Sequence, residues 1–272
     1  MYPQHTETSG QAEADYFRSL FSEEMDVKDA PPSRLRYAIF SQARTGSELV
    51  AAYLRQQGIG LPLEYFHPNG VPLLAERWGC VDASGVIKLD RFGLELERHR
   101  TTSNGIFGIK IGVDQLGSIT GGKPDAAVGL LRSFDKVLLM RRHDTLRQAI
   151  SLMRAVSTGQ FHVMPGDDHK RVTDTEMSVL SPRITHSWAL VVGMERDMTR
   201  LTATLPPDRV LAVWYEDLQD PKAMDAIANW LCAGIGVPAQ PEGRKFALPK
   251  RGDTRESDAI VKAYLDYNGI AG

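Results

Sequence analysis

Cysteine is nearly absent from this chain of 272 residues: only Cys80 and Cys232 occur, far apart and with no His or second Cys at ligand spacing. A disulfide scaffold and a Cys/His zinc site are therefore excluded, and two reduced thiols are expected. No apolar run approaches the ~20 residues that a membrane span needs. The opening stretch, MYPQHTETSGQAEADYF, is polar and acidic and lacks the pattern of a signal peptide. A cytoplasmic protein is expected. An excess of one charge is missing too, with 32 Lys and Arg against 34 Asp and Glu and a formal net charge of -2. That balance argues against broad nucleic-acid or anionic-membrane binding and leaves room only for a local cationic pocket. Repeats and low-complexity tracts do not occur.

What is present is an ordinary globular balance, 42% apolar and 24% charged. The length suits one large α/β domain. Residues 1–33 read as a polar leader ending in Ala30-Pro31-Pro32-Ser33, with one short helix around Tyr16 to Phe21, and residues 34–272 as the folded body. Leu35 to Phe40 is a short apolar run of buried-strand type. A helix should run from Ser47 to Gln57, because Leu49, Val50, Tyr53 and Leu54 have helical spacing and Gly58 is a natural stop. Ile106 to Ile111, Val137 to Met140 and Arg209 to Tyr215 are further strands. Helices are expected over 144–157, over 184–204 on the stripe Ile184, Trp188, Val191, Met198, Leu201 and Leu205, and from Asp220-Pro221 to Cys232. Strands alternating with helices imply a central parallel sheet flanked by helices, with ligands at the carboxyl ends of the strands. Chemistry is therefore expected in the loops after Phe40, Ile111, Met140 and Tyr215.

The first of these loops reads Ser41-Gln42-Ala43-Arg44-Thr45-Gly46-Ser47-Glu48. Backbone N–H groups at a helix start, with the positive end of the helix dipole, bind anions. Gly46 lets the backbone approach closely, Thr45 and Ser47 offer hydroxyls, and Arg44 offers a forked cation. The first Gly and the Lys of a Walker loop are missing. The bland alternative is that Thr45 or Ser47 simply caps a helix. Later in the chain Arg141-Arg142 end a strand, and the next helix should carry Arg147, Ser151 and Arg154 on one face, spaced i, i+4, i+7. Alone, this run reads as a solvated basic face. Two cationic strand–helix junctions together suit a nucleotide with phosphates at both its 5′ and 3′ ends.

At these residues the sequence resembles the sulfotransferases that use 3′-phosphoadenosine-5′-phosphosulfate (PAPS), specifically the bacterial trehalose sulfotransferase family and its relatives acting on lipopolysaccharide or Nod-factor sugars. Phe40 to Leu49 is similar to the family's 5′-phosphosulfate loop, S-x-R-S-G-S-T-L. Arg142 to Ala155 is similar to its 3′-phosphate element, R-x-D-x-x-x-Q-A-x-S-x-x-R-A. Glu64-Tyr65-Phe66 resembles its E-[FY]-F element, Gly108-Ile109-Lys110 its G-x-K segment, and Tyr215-Glu216-Asp217-Leu218 its Y-E-D-L segment. The elements follow the family's order.

The resemblance implies a P-loop-like sulfotransferase fold and sulfuryl transfer to a carbohydrate or glycolipid hydroxyl, without a metal. Glu64 would be the general base, in a pocket made partly apolar by Tyr65 and Phe66 that raises its pKa. Arg44, Thr45, Gly46 and Ser47 would hold the 5′-phosphosulfate, Arg142 and Ser151 the 3′-phosphate, and Lys110 would reach the sulfuryl oxygens. Arg251 and Arg255 would close over the 3′-phosphate. Tyr65, Phe66 and His67 would contact the acceptor, and a homodimer would match the family's habit. Three positions depart from the family pattern: Glu48 stands where Thr is usual, His143 replaces Pro, and Met153 replaces an aromatic. Glu48 puts a carboxylate beside the sulfate site, or it complements the helix dipole. Two other readings stay open, a P-loop-like nucleotide kinase and a catalytically inactive nucleotide-binding module.

Overall fold

The structure is a computed structural model that describes residues 18–161, 170–172, 176–235 and 254–270. Among the described residues four strands form one parallel sheet: β1 (Leu35–Ser41), β2 (Ile106–Gly112), β3 (Lys136–Arg141) and β4 (Val210–Trp214), in the order β2-β1-β3-β4. β1 pairs with β2 from Leu35↔Ile106 to Ser41↔Gly112, and with β3 from Tyr37↔Lys136 to Phe40↔Leu139. Each strand lies in a sheet covered on both faces, which explains why it reads as a continuous apolar run. The expected α/β architecture with a central parallel sheet flanked by helices is therefore observed.

The two faces of the sheet separate with the period of two that a pleated strand imposes. Tyr37 and Ile39 of β1 point to one face, with Leu138, Met140 and Val213. There they meet α1 (Ser47–Gln56) through Val50, Ala51 and Leu54, and α8 (Pro221–Cys232) through Met224, Ile227 and Leu231. Ala38 and Phe40 point to the other face, with Phe107, Ile109, Ile111, Val137 and Leu139. That face is covered by α3 (Leu89–Arg100), α4 (Val113–Ile119), α5 (Pro124–Arg132) and the Met198 turn of α7 (Met177–Thr202). The remaining short helix, α2 (Val71–Arg77), adds Leu74 and Ala75 to the same cluster. Leu20 and Phe21, which precede β1, are buried there as well, so the chain ahead of residue 33 contributes to the core.

Three helices build a further small core. α6 (Thr145–Thr158) and α7 share a small core with α9 (Thr254–Tyr267), built on Ile150, Met153, Leu180, Ile184 and Tyr264. α7 begins seven residues before the apolar stripe that marks it in the sequence, and Pro182 lies inside it. Among the described residues, no helix is long and apolar enough to cross a membrane, and Cys80 and Cys232 are free thiols.

The sheet order places the chemistry. β1 sits between β2 and β3, so the chain leaves β1 toward one side and returns on the other. The loops after β1 and β3 therefore part at their carboxyl ends and leave a crevice, the usual ligand position in such sheets.

Candidate active site

The loop after β1 is held open by its backbone. Arg44 and Gly46 both have positive φ, 67° and 78°. A left-handed residue other than glycine is uncommon and marks a loop whose surroundings fix it. At Gly46 a side chain is excluded by neighbours too, since a Cβ would lie 2.9 Å from Cδ2 of Tyr215 and 3.0 Å from Cδ1 of Leu218. Gly46 is the residue that precedes α1, and no side chain caps that helix. The hydroxyl of Thr45 donates instead to the carbonyl of Gln42, at 2.9 Å. Neither Thr45 nor Ser47 caps α1, so the bland reading of this loop fails.

The second junction closes onto the first. Gln148 of α6 donates to the carbonyl of Ala43 at 2.8 Å, and Arg44 Nε donates to the hydroxyl of Ser151 at 2.9 Å. A second Arg44 nitrogen reaches the carbonyl of Phe161. Arg142 Nη1 donates to the carbonyl of Arg44 at 3.1 Å. The Arg142 guanidinium lies over the Tyr215 ring, 4.3 Å from its centroid, and Glu216 is 3.9 Å from its Nε. Burial lowers the pKa of Arg142, opposed by Tyr215, Glu216 and Asp144, yet an arginine stays charged under such a shift. Its Nε is buried with no hydrogen-bond partner among the described residues. A buried, charged donor with an orphan N–H is suited to a bound anion.

The rest of the basic run has other partners. Asp144 caps α6 by accepting the Arg147 amide at 2.8 Å. The Arg147 side chain pairs with Asp258, and Arg154 is buried and pairs with Glu256 and Ser257 of α9. The run is thus a clamp for α9 and not a solvated face. His143 stacks on Trp214 with ring centroids 3.8 Å apart. Arg251 and the side chain of Arg255 lie outside the described residues.

A second group of charges forms where α1, β2 and the loop before α2 meet. Lys110, buried near the end of β2, places Nζ 2.6 Å from Glu48 Oε2 and 3.0 Å from Glu64 Oε1. Arg55 donates from Nη2 to Glu48 Oε1 at 2.8 Å and from Nη1 to the carbonyl of Pro62 at 3.0 Å. Gln115 of α4 donates to Glu64 Oε2 at 3.1 Å, while its own carbonyl accepts the Gly112 amide at 3.1 Å. The backbone of Lys110 donates to Leu63 O, at 2.9 Å, tying the Glu64 loop to the sheet edge. Of these charged groups Glu64 alone is substantially open, with 30% of its side chain exposed.

The electrostatics differ from the expectation of a carboxylate raised by apolar walls. Burial does push the Glu64 pKa up, but the charges of Lys110 and His67 outweigh it, and the carboxyl titrates below its ordinary value. Lys110 is shifted upward: burial opposes its charge, and Glu48 and Glu64 more than restore it. Two carboxylates are balanced by two buried cations. Glu48 is thereby neither an unpaired charge beside the crevice nor merely a dipole partner.

The expected acceptor contacts separate. Tyr65 is fully buried, and its hydroxyl donates to Leu61 O at 2.6 Å, so it has no surface to offer an acceptor. Phe66 packs edge-on to Phe92, with centroids 5.8 Å apart. His67 accepts the Asn69 amide on Nδ1 at 3.2 Å, and burial lowers its pKa. Arg55 and Gln115 escaped sequence reasoning. The only signal for Arg55 is its place two helical turns after Glu48, which puts both on one face. Among the described residues no group of three or more His, Cys, Asp or Glu side chains is placed to hold a metal ion.

The chain matches the Stf0 sulphotransferase family over residues 36–262, which includes both junctions and the Glu48–Lys110–Glu64 group. A crystal structure of a sulfotransferase from Alicyclobacillus acidocaldarius is similar, at a TM-score of 0.48 and 14% identity, over 87% of this chain and 92% of that one. Among curated proteins none matches this chain. The family pattern takes in all four strands and the loops at their carboxyl ends, and the chain belongs to the Stf0 sulphotransferase family.

Proposed function

We propose that this protein transfers a sulfuryl group from PAPS to a hydroxyl of a carbohydrate or glycolipid acceptor, with Glu64 as general base. One observation carries the reading: Arg142 of the second junction hydrogen-bonds the backbone of Arg44 in the first, at 3.1 Å. Two anion-binding junctions in direct contact across the switch point suit one adenosine bearing phosphates at both its 5′ and 3′ ends.

The donor supplies the sulfuryl group, and the chain supplies positioning and charge. The amides of Thr45, Gly46 and Ser47, at the positive end of α1, hold the 5′-phosphosulfate and neutralise charge on the departing phosphate oxygen. Arg142, through the Nε that makes no hydrogen bond, holds the 3′-phosphate. Ser151 accepts from Arg44, which leaves its own O–H to donate to the same phosphate. Arg251 and Arg255 are proposed to cover that phosphate. As the acceptor oxygen bonds to sulfur, its proton passes to Glu64 and the bond from sulfur to the phosphate oxygen breaks. Adenosine 3′,5′-bisphosphate leaves. Lys110 keeps Glu64 aimed and has a third N–H to offer a sulfuryl oxygen. Phe66 and His67 border the acceptor side.

Transfer of labelled sulfate from PAPS to a panel of sugars and glycolipids tests this. Wild-type protein should label at least one acceptor, and Glu64→Gln should lower turnover about 100-fold or more while still binding adenosine 3′,5′-bisphosphate. Full turnover by Glu64→Gln would remove Glu64 from the chemistry.

A further inference from the structure

Lys110 is divided between two carboxylates, and the second of them has no part in the mechanism above. Glu48 comes from the first turn of α1, Lys110 from β2 and Glu64 from the loop before α2, so three elements converge on one ammonium. Arg55, buried behind Glu48, fixes that carboxylate from the far side. We propose that Glu48 is a positioning residue: it draws a share of the Lys110 charge, so that Glu64 keeps proton affinity that an undivided lysine partner would remove. The inference rests on the reading of Glu64 as the general base.

The physical reason is the balance of charges around Glu64. A carboxylate with an ammonium to itself is held strongly in its ionised form and makes a weak base. A second carboxylate on the same ammonium places a like charge inside the ~4–6 Å range over which such charges disfavour ionisation. The groups facing Glu64 are Lys110 from β2, Glu48 from α1, His67 from its own loop, and Gln115 and Asp114 from α4. Lys110 and His67 favour the anion; Glu48 and Asp114 oppose it. Arg55 pairs with Glu48 Oε1 at 2.8 Å, while Lys110 takes Oε2 of the same carboxylate. The shorter of the two Lys110 contacts is the one to Glu48, at 2.6 Å against 3.0 Å, as expected if Glu48 holds the larger share.

The test is a titration of the Glu64 carboxyl by carbon NMR on protein labelled at the glutamate carboxyl carbons, without donor. Glu64→Gln identifies the resonance by its loss. Glu48→Gln should lower the Glu64 midpoint by on the order of one pH unit, and the acidic limb of kcat/KM should move down with it. Lys110→Met should move the midpoint up. If Glu48→Gln leaves Arg55 uncompensated and the protein unfolds, Glu48→Gln with Arg55→Gln removes the pair together and carries the same expectation. An unchanged or raised Glu64 midpoint in whichever variant folds overturns the inference. Failure of the base assignment is a separate result: Glu64→Gln would then retain turnover, while the NMR titration still reports whether Glu48 acts on Glu64.

Discussion

Replacing Gly46 by alanine probes the loop proposed to hold the donor. The residue sits at φ 78°, where an L side chain costs roughly 1–2 kcal/mol. The new methyl would also stand 2.9 Å from Tyr215 and 3.0 Å from Leu218, both of them side-chain atoms of the turn Tyr215–Gln219 after β4. Forcing a methyl into a filled space costs about 1–3 kcal/mol more. Gly46→Ala should therefore lose about 2–5 kcal/mol of stability in urea unfolding at neutral pH. Binding of adenosine 3′,5′-bisphosphate should weaken as well, because Tyr215 supports Arg142 from the other side of the same contact. A loss below about 1 kcal/mol, with affinity intact, would mean that Gly46 is not left-handed and not pressed against Tyr215, and the description of the loop would be wrong.

Two further outcomes follow from buried charge. Asp26 is the carboxylate placed against both Arg100 and Arg77, at 2.8 and 3.6 Å, and the Arg100 side chain is fully buried between the rings of Tyr65 and Trp78. Asp26→Asn should cost about 3 kcal/mol in the same unfolding assay, and a change under 1 kcal/mol would show that the rings, not the ion pair, hold Arg100. Folding favours the anion of Glu64, so the group stabilises the protein above its unfolded pKa of about 4.3, and this contribution disappears as pH falls through the depressed folded value. Glu64→Gln should accordingly flatten part of the acid loss of stability measured from pH 5 downward; a curve parallel to wild type would contradict the direction of the shift.

How much was legible in the sequence depended on where each element keeps its signal. The strands announce themselves because both faces of the sheet are covered, and Leu35 to Phe40 has no charged interruption except Arg36, whose side chain turns aside to the Ser133 carbonyl and Glu97. α3 gave no such sign. Its buried positions are Phe92, Leu96 and Arg100, so one place in the stripe is taken by a cation whose charge is paired only once Asp26 has folded against it. α7 starts at Met177, ahead of residue 184 where its apolar stripe begins, and Pro182 lies in the stretch between. The proline's missing N–H leaves the Ser178 carbonyl without its i+4 donor, and the helix runs through it. Arg44 and Arg142 stand in short patterns after strands, whereas Glu64, in the loop before α2, was picked out by the resemblance of Glu64-Tyr65-Phe66 to a family element. The Glu48–Lys110–Glu64 group was not, because its members lie on three elements and meet only when β1 and β2 align. The pKa of Glu64 was expected in the wrong direction for the same reason: local sequence shows the apolar neighbours Tyr65 and Phe66, but not the lysine that the sheet delivers.

Calorimetric titration of adenosine 3′,5′-bisphosphate into the wild-type chain and into Arg142→Ala, with ATP and magnesium as the competitor, tests the convergence of the two junctions most directly. The bisphosphate should bind one per chain and more tightly than ATP, and Arg142→Ala should weaken it by on the order of 2 kcal/mol, about 30-fold. Equal or tighter binding of ATP, or an affinity indifferent to Arg142, would contradict the account.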